Sequence, residues 1–143
     1  MRSWGQAVEW KAKNITIKCE GGSGYTHQFD VSKSGVFDLV KDVVHEAGAL
    51  FKSSGYIHLG GRDVSEACWK KRTSISTFMK LKNIHTYAEL LNFWRFELKQ
   101  ALSPGKKAIY WAKDAYEATL GKEDVVQYYG EQRYTSISKG CVS

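Results

Sequence analysis

The segment best equipped for chemistry is His58-Leu59-Gly60-Gly61-Arg62-Asp63-Val64, followed at short range by Cys68-Trp69. It begins inside Tyr56-Ile57-His58-Leu59, which reads as a short buried strand stopped by the glycine pair. In parallel α/β folds, ligands bind at the carboxyl ends of strands. Two successive glycines let the backbone turn sharply there, aiming a guanidinium and a carboxylate into the mouth of a site. The same residues also suit an ordinary strand-to-helix turn with its charges in water. Position in a fold does not by itself separate the two.

Such a turn needs elements on both sides to hold it. Upstream, Val36, Leu39, Val40, Val43, Val44, Ala47, Leu50 and Phe51 recur at three- and four-residue steps and predict a helix from 36 to 51, with Ser34 as its N-cap. Lys52-Ser53-Ser54-Gly55 breaks that pattern. Downstream, one helix is expected from about Ser74 to Lys82 and another from Thr86 to Leu102. The second opens with Thr86-Tyr87-Ala88-Glu89, the form of a capping box, and buries a stripe of Tyr87, Leu90, Leu91, Trp94, Leu98 and Ala101. Ser103-Pro104-Gly105 ends it. Ala108-Ile109-Tyr110-Trp111 reads as a second strand, a short helical link follows, and Val125-Val126-Gln127-Tyr128-Tyr129 reads as a third. Residues 1–33, with the loop Gly21-Gly22-Ser23-Gly24, and the tail after Gly130 show no sustained periodicity. Alternating strands and helices predict the α/β class with parallel βα units. Three strands amount to part of a (β/α)8 barrel, which needs about 250 residues, or to a small open sheet.

Composition narrows the partners. The 143 residues are enough for one domain, and 43 % are apolar. The 13 % that are aromatic suit core packing first, and sugar or base sites second. The net charge of +6 is scattered, and its densest run, Lys70-Lys71-Arg72, has no aromatic or glycine-rich RNA-binding setting. A solvated face is expected there, not a nucleic-acid groove. Three cysteines, Cys19, Cys68 and Cys141, lie too far apart for a zinc pattern, and His27, His45 and His85 read as surface or packing residues. No metal or other cofactor is expected. No stretch approaches the roughly 18 apolar residues of a membrane span, and residues 1–20 lack the apolar run of a signal peptide. Asn14-Ile15-Thr16 matches the N-glycosylation sequon, which has meaning only in a secretory protein.

His58, Gly60, Gly61, Val64, Cys68 and Trp69 form a frame that resembles the β-N-acetylhexosaminidases of glycoside hydrolase family 20. That family carries His-x-Gly-Gly-Asp-Glu-Val at the end of its fourth barrel strand, with Cys-Trp a few residues on. Arg2-Ser3-Trp4-Gly5 is similar to the segment after the family's third-strand Gly-His, Ala108–Trp111 resembles the fifth strand, and Val125–Tyr129 the sixth. The resemblance implies the central portion of a (β/α)8 TIM barrel, strands 4 to 6, over residues 1–132, with 133–143 an unmatched tail. It implies His58, Trp111 and Tyr129 in the sugar pocket, and Cys19 and Cys68 as a disulfide beside it. It also implies a lysosomal or secreted parent, dimeric in some members, that acts on glycans ending in N-acetylhexosamine, with neither nucleic acid nor membrane as partner.

In that family the substrate's own acetamide oxygen attacks the anomeric carbon. The motif's glutamate protonates the leaving oxygen, and the aspartate before it orients the acetamide and opposes its developing positive charge. This chain departs at both positions. Arg62 stands for the aspartate and places a permanent cation beside a developing one. Asp63 stands for the glutamate, one methylene shorter, and a displacement of about 1 Å costs on the order of 100-fold in rate. The family's substrate-binding arginine, its aspartate–histidine pair and the contacts from its last two strands have no counterpart. Two outcomes are open: a fragment of a hexosaminidase catalytic domain that is itself inactive, or a non-catalytic relic in which Trp111, Tyr129 and Trp69 keep a sugar- or partner-binding platform.

Overall fold

The valines spaced along residues 36–44 do what their period predicts. In the computed structural model, which describes residues 15–19, 27–61, 64–111, 120 and 122–127, they line the buried side of helix α1 (Ser34–Leu50). Ser34 does not cap this helix. Lys33 holds the extended N-cap position and offers no side-chain hydrogen bond, so Ser34 is already the first helical residue. Strand β3 (Tyr56–His58) follows α1, and the glycine pair ends it as expected.

Beyond the turn come α2 (Glu66–Lys70), α3 (Thr73–Leu81) and α4 (Tyr87–Lys99). The five-residue α2 is too short to show a period and was not anticipated. Its N-cap is Ser65, whose hydroxyl accepts from the Cys68 N–H. The capping box on α4 is present in full: the Thr86 hydroxyl accepts from the Glu89 N–H, and the Glu89 carboxylate accepts from the Thr86 N–H. The same carboxylate accepts from the His85 N–H at 2.7 Å, and these backbone donors hold Glu89 below the usual carboxylate range.

Strands β4 (Lys107–Trp111) and β5 (Val125–Gln127) complete a parallel sheet of order β3-β4-β5. Residues 1–33 were expected to be irregular, and the structure corrects this. β1 (Thr16–Lys18) and β2 (His27–Phe29) pair antiparallel, with Ile17 opposite Gln28. Strands of three residues leave no readable alternation. The helical link expected after Trp111, and Tyr128-Tyr129, lie outside the described residues.

Register sorts the sheet's two faces. Ile57 sits opposite Ala108 and His58 opposite Ile109, while Ile109 sits opposite Val125 and Trp111 opposite Gln127. Ile57, Ala108 and Tyr110 are buried, and Arg95 of α4 lies over the Tyr110 ring. That face therefore packs on the helices. The other carries Tyr56, His58, Ile109, Trp111, Val125 and Gln127, and Tyr56 and Val125 remain 46 % and 39 % exposed. The result is a three-stranded parallel sheet with helices packed on one face and Tyr56, His58 and Val125 exposed on the other, open face.

Two apolar clusters lock the helices in place. Ile75, Leu90, Leu91, Trp69 and Met79 form one around α2, α3 and α4, reached by Ile17 and Val31 from the hairpin side. Val36, Val40, Val44 and Leu98 form the other, where α1 meets α4. Phe37, Phe78, Phe93 and Trp94 bridge them, with ring centroids 5.2–6.4 Å apart. Leu90 is fully buried at the centre of the first cluster. Leu90→Ala is therefore expected to cost about 2–5 kcal/mol of unfolding free energy, measured by urea denaturation of the chain. A cost near zero would show that the cluster is not a packed core.

Candidate active site

The site is built on what happens after β3. Parallel pairing continues past the strand's assigned end: the Leu59 N–H donates to the Ile109 carbonyl at 2.8 Å, and the Trp111 N–H donates to the Gly60 carbonyl at 3.0 Å. Gly60 (φ 76°) and Gly61 (φ 107°) then take the left-handed region, where a side chain would be strained, and turn the chain off the sheet. The glycines thus lie at the carboxyl edge of a parallel sheet.

His58 and Trp111 meet on the open face, their ring centroids 4.9 Å apart and tilted by 48°. The Gly60 N–H donates to His58 Nδ1 at 3.0 Å. That bond makes Nδ1 the acceptor, so the proton of the neutral ring sits on Nε2 and points away from the turn. Trp111 is half-buried and His58 exposed. Arg62 and Asp63, expected at the centre of the chemistry, lie outside the described residues, as do Tyr129, Asn14 and Cys141. Trp69 does not belong to a sugar platform. It is only 3 % exposed, packed in the core beside Leu90. Of the histidines read as structural, His27 is half-buried in β2, and His45 and His85 are exposed.

Three contacts hold the turn from behind. Cys19, just after β1, and Cys68 in α2 form a disulfide with Cα atoms 5.2 Å apart, tying the hairpin to the helix that follows the turn. Gln28 of β2 is buried and grips Ser65 at both ends of its amide: Oε1 accepts from the Ser65 N–H at 2.9 Å, and Nε2 donates to the Ser65 carbonyl at 3.1 Å. Arg95 reaches up from α4. Its Nη2 lies 3.7 Å from where a Cβ on Gly61 would stand, and its guanidinium is 5.2 Å from the Tyr110 ring centroid. Burial, and then Asp124, push the Tyr110 phenol well above its ordinary range, with Arg95 opposing. Asp124 pairs with Lys99 at 2.6 Å.

Neither Gln28 nor Arg95 was singled out from sequence. Arg95 left a trace there: a cation four residues after Leu91 and three before Leu98, on the buried stripe of α4. Gln28 left none, because its strand is three residues long. Among the described residues no group of three or more His, Cys, Asp and Glu side chains is placed to hold a metal ion. No helix among them is long and apolar enough to cross a membrane.

The model of the glycosyl hydrolase family 20 catalytic domain matches residues 3–141. The chain belongs to this family. Among its relatives, the β-hexosaminidase α subunit of Mus musculus is 24 % identical over 91 % of this chain and 25 % of its own length. The chitooligosaccharidolytic β-N-acetylglucosaminidase of Ostrinia furnacalis is 26 % identical over 72 % of this chain and 16 % of its own. In structure, the family 20 exo-β-N-acetylglucosaminidase of Vibrio harveyi superposes with a TM-score of 0.63 at 20 % identity, over 82 % of this chain and 19 % of that one. The chain thus spans about a quarter, or less, of the family 20 proteins it matches. The family assignment and the superposition both imply a TIM-barrel-like α/β fold.

If the disulfide holds the turn as described, its loss will be felt globally. It closes a loop of 49 residues, for which the chain-entropy estimate is about 4 kcal/mol. The double variant Cys19→Ala/Cys68→Ala is expected to lose about 2–4 kcal/mol of stability by denaturant unfolding. An unchanged midpoint would mean that the hairpin and α2 stay together without the bond.

Proposed function

We propose that the chain is the portion of a β-N-acetylhexosaminidase barrel spanning strands 4 to 6, and that by itself it does not turn over substrate; the family match runs to residue 141 and so takes in most of the tail expected to be unmatched from 133. The supporting observation is the frame from His58 to Trp69 set at the carboxyl end of β3, with Trp111 beside His58 on the open face. β3, β4 and β5 then correspond to the family's fourth, fifth and sixth strands. The parent enzyme's substrates are glycans ending in N-acetylglucosamine or N-acetylgalactosamine, and the substrate's acetamide is its nucleophile. The Cys19–Cys68 disulfide supports a secreted or lysosomal parent, since such bonds persist in oxidising compartments.

Within this reading each position has a task. His58 and Trp111 contribute to the wall of the sugar pocket, and Tyr129 continues it. Asp63 occupies the general-acid position, where a carboxyl must donate a proton to the leaving oxygen. Arg62 occupies the position that should hold a carboxylate against the cationic acetamide, and its guanidinium raises the barrier there. A misplaced acid costs about 10²–10⁴ in rate. A lost electrostatic group costs about 3–4 kcal/mol more. The arginine, the aspartate–histidine pair and the later-strand contacts of the family have no counterpart among the 143 residues, so most of the binding energy is absent as well.

One observation favours a second reading. The exposed His58 ring beside half-buried Trp111 is a face on which a sugar ring can stack, which suits a non-catalytic carbohydrate- or partner-binding relic.

The test is release of p-nitrophenol from p-nitrophenyl N-acetyl-β-glucosaminide. The chain is expected to release none above an Asp63→Ala control. Arg62→Asp with Asp63→Glu is expected not to rescue the chain alone, but to rescue it when the same segment completes a full-length family 20 barrel. Turnover by the unmodified chain would contradict the proposal. Saturable binding of N-acetylglucosamine, lost in Trp111→Ala and unaccompanied by rescue in the full barrel, would favour the relic.

A further inference from the structure

We propose that the apolar cavity behind the Gly60-Gly61 turn binds a small, neutral aromatic molecule. The cavity has a volume of about 240 Å3. It lies between the carboxyl end of the sheet, at Leu59 to Gly61 and Trp111, and side chains of α1 and α4, and His58 is not among the described residues that line it. Phe29, Trp69 and Trp94 give it aromatic walls, Trp111 borders it at the end of β4, and Val40 of α1 and Leu98 of α4 give it aliphatic walls.

Size, charge and hydrogen-bonding capacity each narrow the occupant. An apolar cavity of about 150 Å3 is enough to stay dry and take up benzene. The larger space here suits one or two fused rings. Among the described residues no ionisable side chain lines it, and there a charged ligand would lose its hydration without compensation. Among the described lining residues the Gln28 amide and the Gly60 peptide are already engaged, while the Trp69 Nε1–H is buried without a partner. The Gln28 amide is held at both ends by Ser65. The Gly60 N–H is given to His58 and its carbonyl to the Trp111 N–H. Beyond the Trp69 Nε1–H, a ligand needing hydrogen bonds would find few partners among the described residues, and the aromatic walls favour offset or edge contacts with another ring over contacts with an alkyl chain.

The position carries a consequence for the turn. Gly60, Gly61 and Val64 form one wall of the cavity, so an occupant braces the glycine turn. This inference rests on the cavity alone and stands or falls apart from the hydrolase reading.

Toluene is the probe, and the tryptophan indole N–H resonances of the 143-residue chain are the readout. Saturable shifts are expected for Trp69, Trp94 and Trp111. Val40→Phe and Val64→Phe, which fill the space, are each expected to weaken binding by about tenfold or more. Val64 lies outside any helix or strand, so its variant keeps the test standing if Val40→Phe does not fold. Methylcyclohexane, of similar size but saturated, is expected to bind about threefold to tenfold more weakly. Shifts confined to Trp111 that survive in the folded variants would put toluene on the open sheet face and overturn the cavity site. Equal affinity for methylcyclohexane would overturn the aromatic class. No saturable shift up to the solubility of toluene would overturn the proposal altogether.

Discussion

The parallel pairing of β3 with β4 is the constraint on which the rest of this structure depends. Ile57 beside Ala108 sets the register. A slip of one residue would exchange the two faces of the sheet. In the observed register, Ala108 and Tyr110 turn to the helices and His58 and Trp111 to the open face. The two bonds beyond the strand, Leu59 to Ile109 and Gly60 to Trp111, carry that register into the glycine turn. The turn therefore leaves the sheet at a defined place and angle.

Everything behind the turn serves to keep it there. The disulfide, the Gln28 amide and Arg95 approach from the residue after β1, from β2 and from α4. Covalent, hydrogen-bonded and cation–π contacts are combined in one small region. A family 20 barrel has reason to support this loop heavily, because the chemistry expected of it tolerates displacements of only about 1 Å. On the proposed reading the two residues this support would serve are Arg62 and Asp63, which stand where the family is expected to carry aspartate and glutamate. That separation between an intact scaffold and altered reacting groups is what the proposal of an inactive segment amounts to in physical terms.

Much of the scaffold was legible in the sequence, for reasons that can be named. α1 shows because six valines and leucines repeat at helical steps over four turns, and α4 because Thr86 and Glu89 spell its start. β3 and β4 show as apolar runs bounded by glycine and proline. The β1–β2 hairpin did not show, since each strand offers three residues and tertiary contacts with Ser65 and Cys68 hold it. α2 is five residues long, below any helical period. Ser34 looked like a cap because serine favours that role, but the chain enters the helix one residue earlier. In the site, the Cys19–Cys68 pair came from the family resemblance, and the structure bears it out at 5.2 Å between Cα atoms. Arg95 and Gln28 act across long sequence separations, and a single sequence does not report such pairings. Trp69 was offered as a platform residue from its place in the motif. The packing of α2 against α4 puts it in the core instead.

The register is most directly tested by nuclear Overhauser contacts from the Trp111 indole. The account predicts cross-peaks between Trp111 and the His58 imidazole, and between Arg95 and the Tyr110 ring. Contacts from Trp111 to Arg95, with Tyr110 facing His58, would shift β4 by one residue and contradict the placement of the site.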